Sequence, residues 1–246
     1  MSLSKYSSTQ ETTNIARLAR LILGPCTDAL RDILKTVVLP SDLSKRVKEY
    51  TDKQFKLKRN PLTKSQLEII FPSPQTTYSG DYSEFDISLL YLLLRNVSKI
   101  PPHSEGWGEI PKPGDRSVAA NIERLRLVRN KYYGHAADSS LSESNFGTEW
   151  RNIRDIVVEL GYHLGTSVRY QDAVNTIITC SMDPEQEKKY IELLGDVREF
   201  HKTVDNLSTQ IQTIQRELIL PQDPRIAKMI ETTRKMITMH HEDISH

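Results

Sequence analysis

Residues 121–135 read NIERLRLVRNKYYGH. At about 100° per residue, Val118, Ile122, Leu125, Arg129 and Tyr132 fall within about 80° of one another, so the spacing predicts an amphipathic helix. Arg129 lies inside its apolar stripe, where a leucine would be expected. A guanidinium keeps its proton under all ordinary conditions, so at that position it needs carboxylate, carbonyl or phosphate partners. Gly134 interrupts the pattern and leaves His135 about a turn and a half beyond the arginine.

The pattern upstream is of the same kind. Ile15, Leu18, Ala19, Leu21 and Ile22 start a helix that meets Gly24-Pro25, and a second helix is expected from there to about Val38, since proline suits a first turn. Ser41 is expected to cap a short basic helix through Tyr50, and Thr63 to start another that stops before Pro72. The loop PSPQTTYSGDYSEF (72–85) leads into a segment from Asp86 to Val97 that is apolar nearly all round, which predicts a helix buried on more than one side. IPPHSEGWGEIPKPGD (100–115) is too long for an ordinary helix connection and is expected to be packed, with Trp107 as its anchor and Asp115 as the cap of the next helix. After the polar loop 136–147, Trp150, Ile153, Ile156, Val157, Leu160 and Leu164 share one face, and a further helix spans Val168 to Ile178.

Beyond Asp183-Pro184 the pattern becomes heptad. Tyr190, Val197, Val204, Ile211 and Leu218 repeat every seven residues, with Leu193, Phe200, Leu207 and Ile214 between them. Such 3–4 spacing predicts a coiled coil over 190–218, either self-pairing or recruiting a protein partner, or one arm of a hairpin with 224–240. No stretch alternates as a strand would. The expectation is an all-α chain: a flexible N-terminus over 1–17, a helical domain over 18–182 and a coiled-coil or helical-hairpin extension over 183–246.

Composition narrows the function classes. Of 246 residues, 37% are apolar and the net charge is +1, so no global bias toward nucleic acid or membrane exists. Charge is uneven, however: Lys45 to Lys64 holds eight basic and two acidic residues, and Lys112 to His135 holds six and two. Each run is either a solvated face or a phosphate-contacting patch. Leu89 to Leu94, the longest apolar run, is far too short to cross a bilayer. Cys26 and Cys180 lack metal or disulfide spacing, His240-His241 lacks the i, i+4 spacing of a helical metal site, and no phosphate loop or nucleophile elbow occurs. No metal or cofactor is expected, and the compartment expected is cytoplasmic.

Arg129-Asn130-Lys131-Tyr132-Tyr133-Gly134-His135 is similar to the arginine, polar residue, spacer, histidine signature of the HEPN superfamily. FDISLLYLLLRN (85–96), the IPPH…GWG loop, GDRSVAANIERLR (114–126), YSGDYSEFDISLL (78–90) and YQDAVNTIITCSMDP (170–184) resemble more specifically one branch of it. That branch includes the HEPN domain of a DAZ-interacting zinc-finger ubiquitin ligase. The resemblance covers roughly Leu18 to Pro184. It implies a helical bundle that forms a homodimer with two motifs at a shared cleft and, in catalytic members, metal-independent endoribonuclease activity. By motif match His135 is the acid/base, Arg129 the phosphate clamp and Asn130 an orienting hydrogen-bond donor. Lys131, Tyr132 and Tyr133 are then the residues to contact or stack on RNA. The alternative is a noncatalytic oligomerisation or adaptor module in a ubiquitin- or immunity-linked assembly. In plainer roles, Arg129 pairs with a buried carboxylate, for which Asp86 and Glu123 are candidates, His135 caps helical carbonyls, and the tyrosines are core. His103 could border the cleft.

Overall fold

The computed structural model describes residues 9–56, 62–71, 82–134, 141–182 and 185–194. These are helical, with no strand among them. The chain divides into two compact units, 1–195 and 196–246. Of the predicted coiled coil, everything beyond Leu194 lies outside the described residues.

Helix α1 (Gln10–Leu21) begins within the expected flexible N-terminus, because Thr9 and Thr12 form a reciprocal capping box. Its buried face starts at Asn14, Ile15 and Ala16. The break expected at Gly24-Pro25 does not occur. Instead a π-helical turn (Ile22–Cys26) carries the chain into α2 (Thr27–Val37) with helical dihedrals on both flanks. Pro25 has no N–H to give and its ring crowds the preceding turn; widening the ladder absorbs both faults. The Thr27 hydroxyl donates to the Ile22 carbonyl at 2.9 Å, satisfying an acceptor in the widened turn.

Helix α3 (Pro40–Lys56) runs farther than the expected end at Tyr50, and Leu43 and Val47 anchor it. Helix α4 (Lys64–Ile70) is closed by a Thr63–Gln66 capping box. Helix α5 (Ile87–Asn96) buries Ile87, Leu89, Leu90, Tyr91, Leu93 and Leu94, as its all-round apolar pattern requires. Each such leucine contributes roughly 1.5–3 kcal/mol. The motif helix is α6 (Val118–Gly134). It is followed by α7 (Glu143–His163), which starts inside the expected loop and takes in Phe146, and by α8 (Ser167–Thr179).

Helix α7 is the axis of the bundle, packing against α1, α2, α6 and α8. It approaches α8 tightly at Gly161, where a Cβ would sit 2.9 Å from Ser167 Cα and from a Tyr170 ring carbon. The helical stretch 185–194 packs on α1: Glu187, 4% exposed, accepts from the Thr12 and Thr13 hydroxyls, and Arg20 lies over the Tyr190 ring. The compact unit 1–195 takes in this stretch. Both cysteines are free, and burial pushes the Cys26 thiol far up and out of reactive range. No helix among the described residues is long and apolar enough to cross a membrane.

Asp32 ties α2 to α8, accepting from the Tyr170 hydroxyl at 2.7 Å and from Arg169 at 2.9 Å. Burial alone would raise its carboxyl pKa, but Tyr170, Arg169 and Lys35 outweigh burial and hold it below the ordinary value. A depressed folded-state pKa means that the carboxylate stabilises the fold above the ordinary carboxylate range and loses that contribution as pH falls below about 4. Asp32→Asn is expected to cost about 1 kcal/mol at neutral pH and to flatten the acid limb of stability below about pH 4, as read by urea titrations across pH.

Candidate functional site

The site is built on α6 and on the loop before it. Ser117 caps α6 through its hydroxyl, which accepts from the Ala120 N–H at 3.3 Å. Asp115, the expected cap, sits one step back and accepts from the backbone N–H groups of Ser117 (3.0 Å) and Ser104 (3.1 Å), so it pins the loop to itself. The Ser117 side chain first, then the backbone N–H groups of Ser104 and Ser117, hold its carboxyl well below the usual range.

Glu123 on α6 is fully buried. Its carboxylate accepts from the Tyr91 hydroxyl at 3.0 Å, the Gly108 N–H at 3.1 Å and Arg126 Nε. Arg126 also donates to the Gly108 carbonyl at 3.1 Å and lies 5.6 Å over the Tyr91 ring, while Trp107 meets that ring edge-on at 6.3 Å. Arg95 donates to the Tyr91 hydroxyl at 3.3 Å. Burial first, then the Glu123 carboxylate, raise the Tyr91 pKa and keep the phenol a donor. Gly108 adopts φ +94°, which a side chain would resist, and its N–H and C=O are both consumed by α6. Trp107 thus anchors the loop as expected.

Neither acidic residue considered as a partner for Arg129 takes that part. Asp86 caps α5, accepting from the Leu89 N–H at 2.8 Å. Glu123 takes Arg126, three residues on, because Arg126 lies about 60° from it on the wheel and Arg129 about 120°. The signal for this pair was present as i, i+3 spacing. Nothing in the sequence pointed to Tyr91 or Arg95 as members of the cluster.

Arg129 lies in the buried stripe with Ile122, Leu125 and Tyr132, only 9% exposed. Its Nη1 donates to the side-chain oxygen of exposed Asn130 at 2.9 Å, so Asn130 acts here as acceptor. Lys131 is on the surface, paired with Glu149 at 2.6 Å. Tyr132 is 6% exposed and its ring is covered by the bundle, so it offers no free face for stacking. Burial and the nearby Glu149 carboxylate push its phenol far up. Tyr133 belongs to the last turn of α6; its side chain, and all of His135, lie outside the described residues. His103 is buried, with Nδ1 accepting from the Glu105 N–H at 3.3 Å. Asn121, also buried, joins α6 to α7 by donating to Glu159 at 2.9 Å and accepting from Arg124. Among the described residues no three His, Cys, Asp or Glu side chains are grouped to hold a metal ion.

Residues 40–190 match the family described as DZIP3/hRUL138-like HEPN. The chain belongs to this HEPN family. The match takes in α3 to α8 and most of the stretch on α1, with the Glu123 cluster and the Arg129 motif near its centre. Among curated relatives of this HEPN domain are the human and mouse proteins named E3 ubiquitin-protein ligase DZIP3, 29% and 28% identical over 108 residues. That alignment covers 44% of this chain but only 9% of each relative. No solved structure matches.

Glu123→Ala is expected to lower stability by about 3 kcal/mol, since it leaves Arg126 and two donors without their buried acceptor. Glu123→Gln, which keeps one acceptor oxygen, should lose less. Chemical denaturation followed by circular dichroism, which reads the helices as a whole, measures both.

Proposed function

We propose that this HEPN domain binds single-stranded RNA and cleaves it without metal, with Arg129, Asn130 and His135 as its catalytic residues. The observation that carries the reading is a permanently charged arginine held in the apolar stripe of α6, beside Asn130, in a chain of the HEPN family. The 2′-hydroxyl attacks the adjacent phosphorus as His135 takes its proton. Charge collects on the non-bridging oxygens, and the Arg129 fork, in partly desolvated surroundings, attracts them more strongly than it would in water. The bond to the 5′-oxygen then breaks and that oxygen is protonated, leaving a 2′,3′-cyclic phosphate and a 5′-hydroxyl. A homodimer supplies a second His135 to serve as the acid while the first is the base. Lys131 is released from Glu149 to meet phosphate, and Tyr133 contacts a base; Tyr132 supports α6 from within.

A second reading is a noncatalytic adaptor assembled through the heptads at 190–218. The coverage of Arg129 and Tyr132 within one protomer favours it, since a braced arginine can simply hold the end of α6. The naming of the human and mouse relatives as ubiquitin ligases makes a ubiquitin-linked assembly the natural setting for that role.

Incubation with labelled single-stranded RNA in excess chelator decides between the two. The nuclease reading expects cyclic-phosphate products, a rate loss of about 10²–10⁴ for His135→Ala and about 10²–10³ for Arg129→Lys. Cleavage retained by His135→Ala contradicts it, and no cleavage by a correctly folded wild type favours the adaptor. Mass measurement in solution should give twice the chain mass; a monomer removes the shared cleft.

A further inference from the structure

The basic run around Lys45 builds a groove remote in sequence from the Arg129 motif. Asp42, Lys45, Arg46, Glu49, Tyr50 and Lys53 share one face of α3, spaced at three and four residues, and this face looks onto Asn96, Val97 and Lys99 at the end of α5. Between them lies an open cleft of about 560 Å³. Lys45, Lys53 and Lys99 are exposed. Arg46 is braced by Asp42 at 3.8 Å, so four cations face two carboxylates, in a chain whose overall charge is only +1. Tyr50 is half-buried among the cations. The Asn96 amide nitrogen is held by the Leu92 carbonyl at 3.0 Å, which leaves the side-chain oxygen as an acceptor.

We infer that this α3–α5 groove binds the backbone of single-stranded RNA, with Lys45, Lys53 and Lys99 on phosphates and Tyr50 under a base. The inference rests on the RNA reading above and gives it a second contact site on the same molecule. A groove with an excess of cations and an aromatic ring in it is what sequence-tolerant single-strand binding requires: cations track the backbone and any base can stack. A basic patch alone would serve an acidic peptide equally well; the tyrosine favours RNA. The groove also leads toward α6. Arg95 stands near enough to Tyr50 for its charge to be felt there and reaches the Tyr91 hydroxyl, which is bound to Glu123, the partner of Arg126. Arg126 precedes Arg129 by three residues, about 4.5 Å along the helix. A chain of polar contacts thus connects the neighbourhood of the α3 groove with the motif helix.

The test is fluorescence anisotropy of the full chain with a short labelled single-stranded RNA, titrated across salt. The triple variant Lys45→Gln/Lys53→Gln/Lys99→Gln changes only exposed side chains. It is expected to bind at least about tenfold more weakly near physiological salt and to lower the slope of log K against log salt by about two, at about 0.7 per phosphate contact. Tyr50→Leu should weaken binding about fivefold or more with the slope unchanged. Binding by the wild type that depends on these residues but is accompanied by no cleavage keeps the groove and tells against the nuclease reading alone. Wild-type affinity and slope in the triple variant overturn the groove. So does tighter binding of the wild type to polyglutamate than to RNA, which would assign the groove to an acidic protein.

Discussion

A carboxylate with no access to water must be satisfied from within, and Glu123 is such a group. Leaving it ionised and unpaired would cost several kcal/mol. Its partners come from three separate places in the chain: the Tyr91 hydroxyl from α5, the Gly108 N–H from the long loop, and Arg126 from α6 itself. Satisfying one charge therefore locks two helices and a 16-residue loop into a single arrangement. The left-handed Gly108, the edge-on contact of Trp107 with Tyr91 and the seating of Arg126 over the same ring all follow from it. Polar networks of this kind stabilise little when compared with an apolar core of equal volume, but they tolerate few alternative geometries.

That constraint is what gives α6 a defined face. With Glu123 turned to α5 and the loop, Ile122, Leu125, Arg129 and Tyr132 are turned into the bundle, where α7 supplies the opposing surface. Asn121 completes the setting by bonding Glu159 of α7. Arg129 is then neither solvent-facing nor free to rotate away. Its immobility suits a phosphate clamp, whose value lies in not having to reorganise, and equally suits a brace. The same cluster continues one turn along α5 to Arg95, whose charge is felt at Tyr50 of α3, so the basic face of α3 and the motif helix share one polar framework.

Much of this was legible from residue order. The period of 3.6 placed Arg129 in the stripe, the absence of alternation excluded strands, and the all-round apolar α5 announced its burial. The flanking stretches joined to the arginine motif pointed to the HEPN family, to which the chain belongs. Other features depend on what the helices meet and could not be read locally. Proline 25 looked like a stop because a straight α-ladder cannot hold it, yet tertiary packing on both sides keeps the helix going through a π-turn. Asp86 and Glu123 were both plausible partners for an arginine; only the depth of Glu123 and the angle to Arg126 separate their roles. Tyr132 could be read either as core or as a contact for a base, because a tyrosine's amphipathic ring does not reveal which face is covered.

On the proposed reading, RNA meets this domain along a line from the α3 groove to the end of α6. Two-dimensional NMR of the isotopically labelled chain, titrated with a short single-stranded RNA, tests it most directly. The side-chain Nε–H signals of Arg95 and Arg129, with the amides of 45–53, 96–99 and 126–134, should shift together and saturate at one concentration, while the amides of α8 stay still. Shifts confined to α8 and 185–194, or none at concentrations that saturate binding by anisotropy, would contradict it.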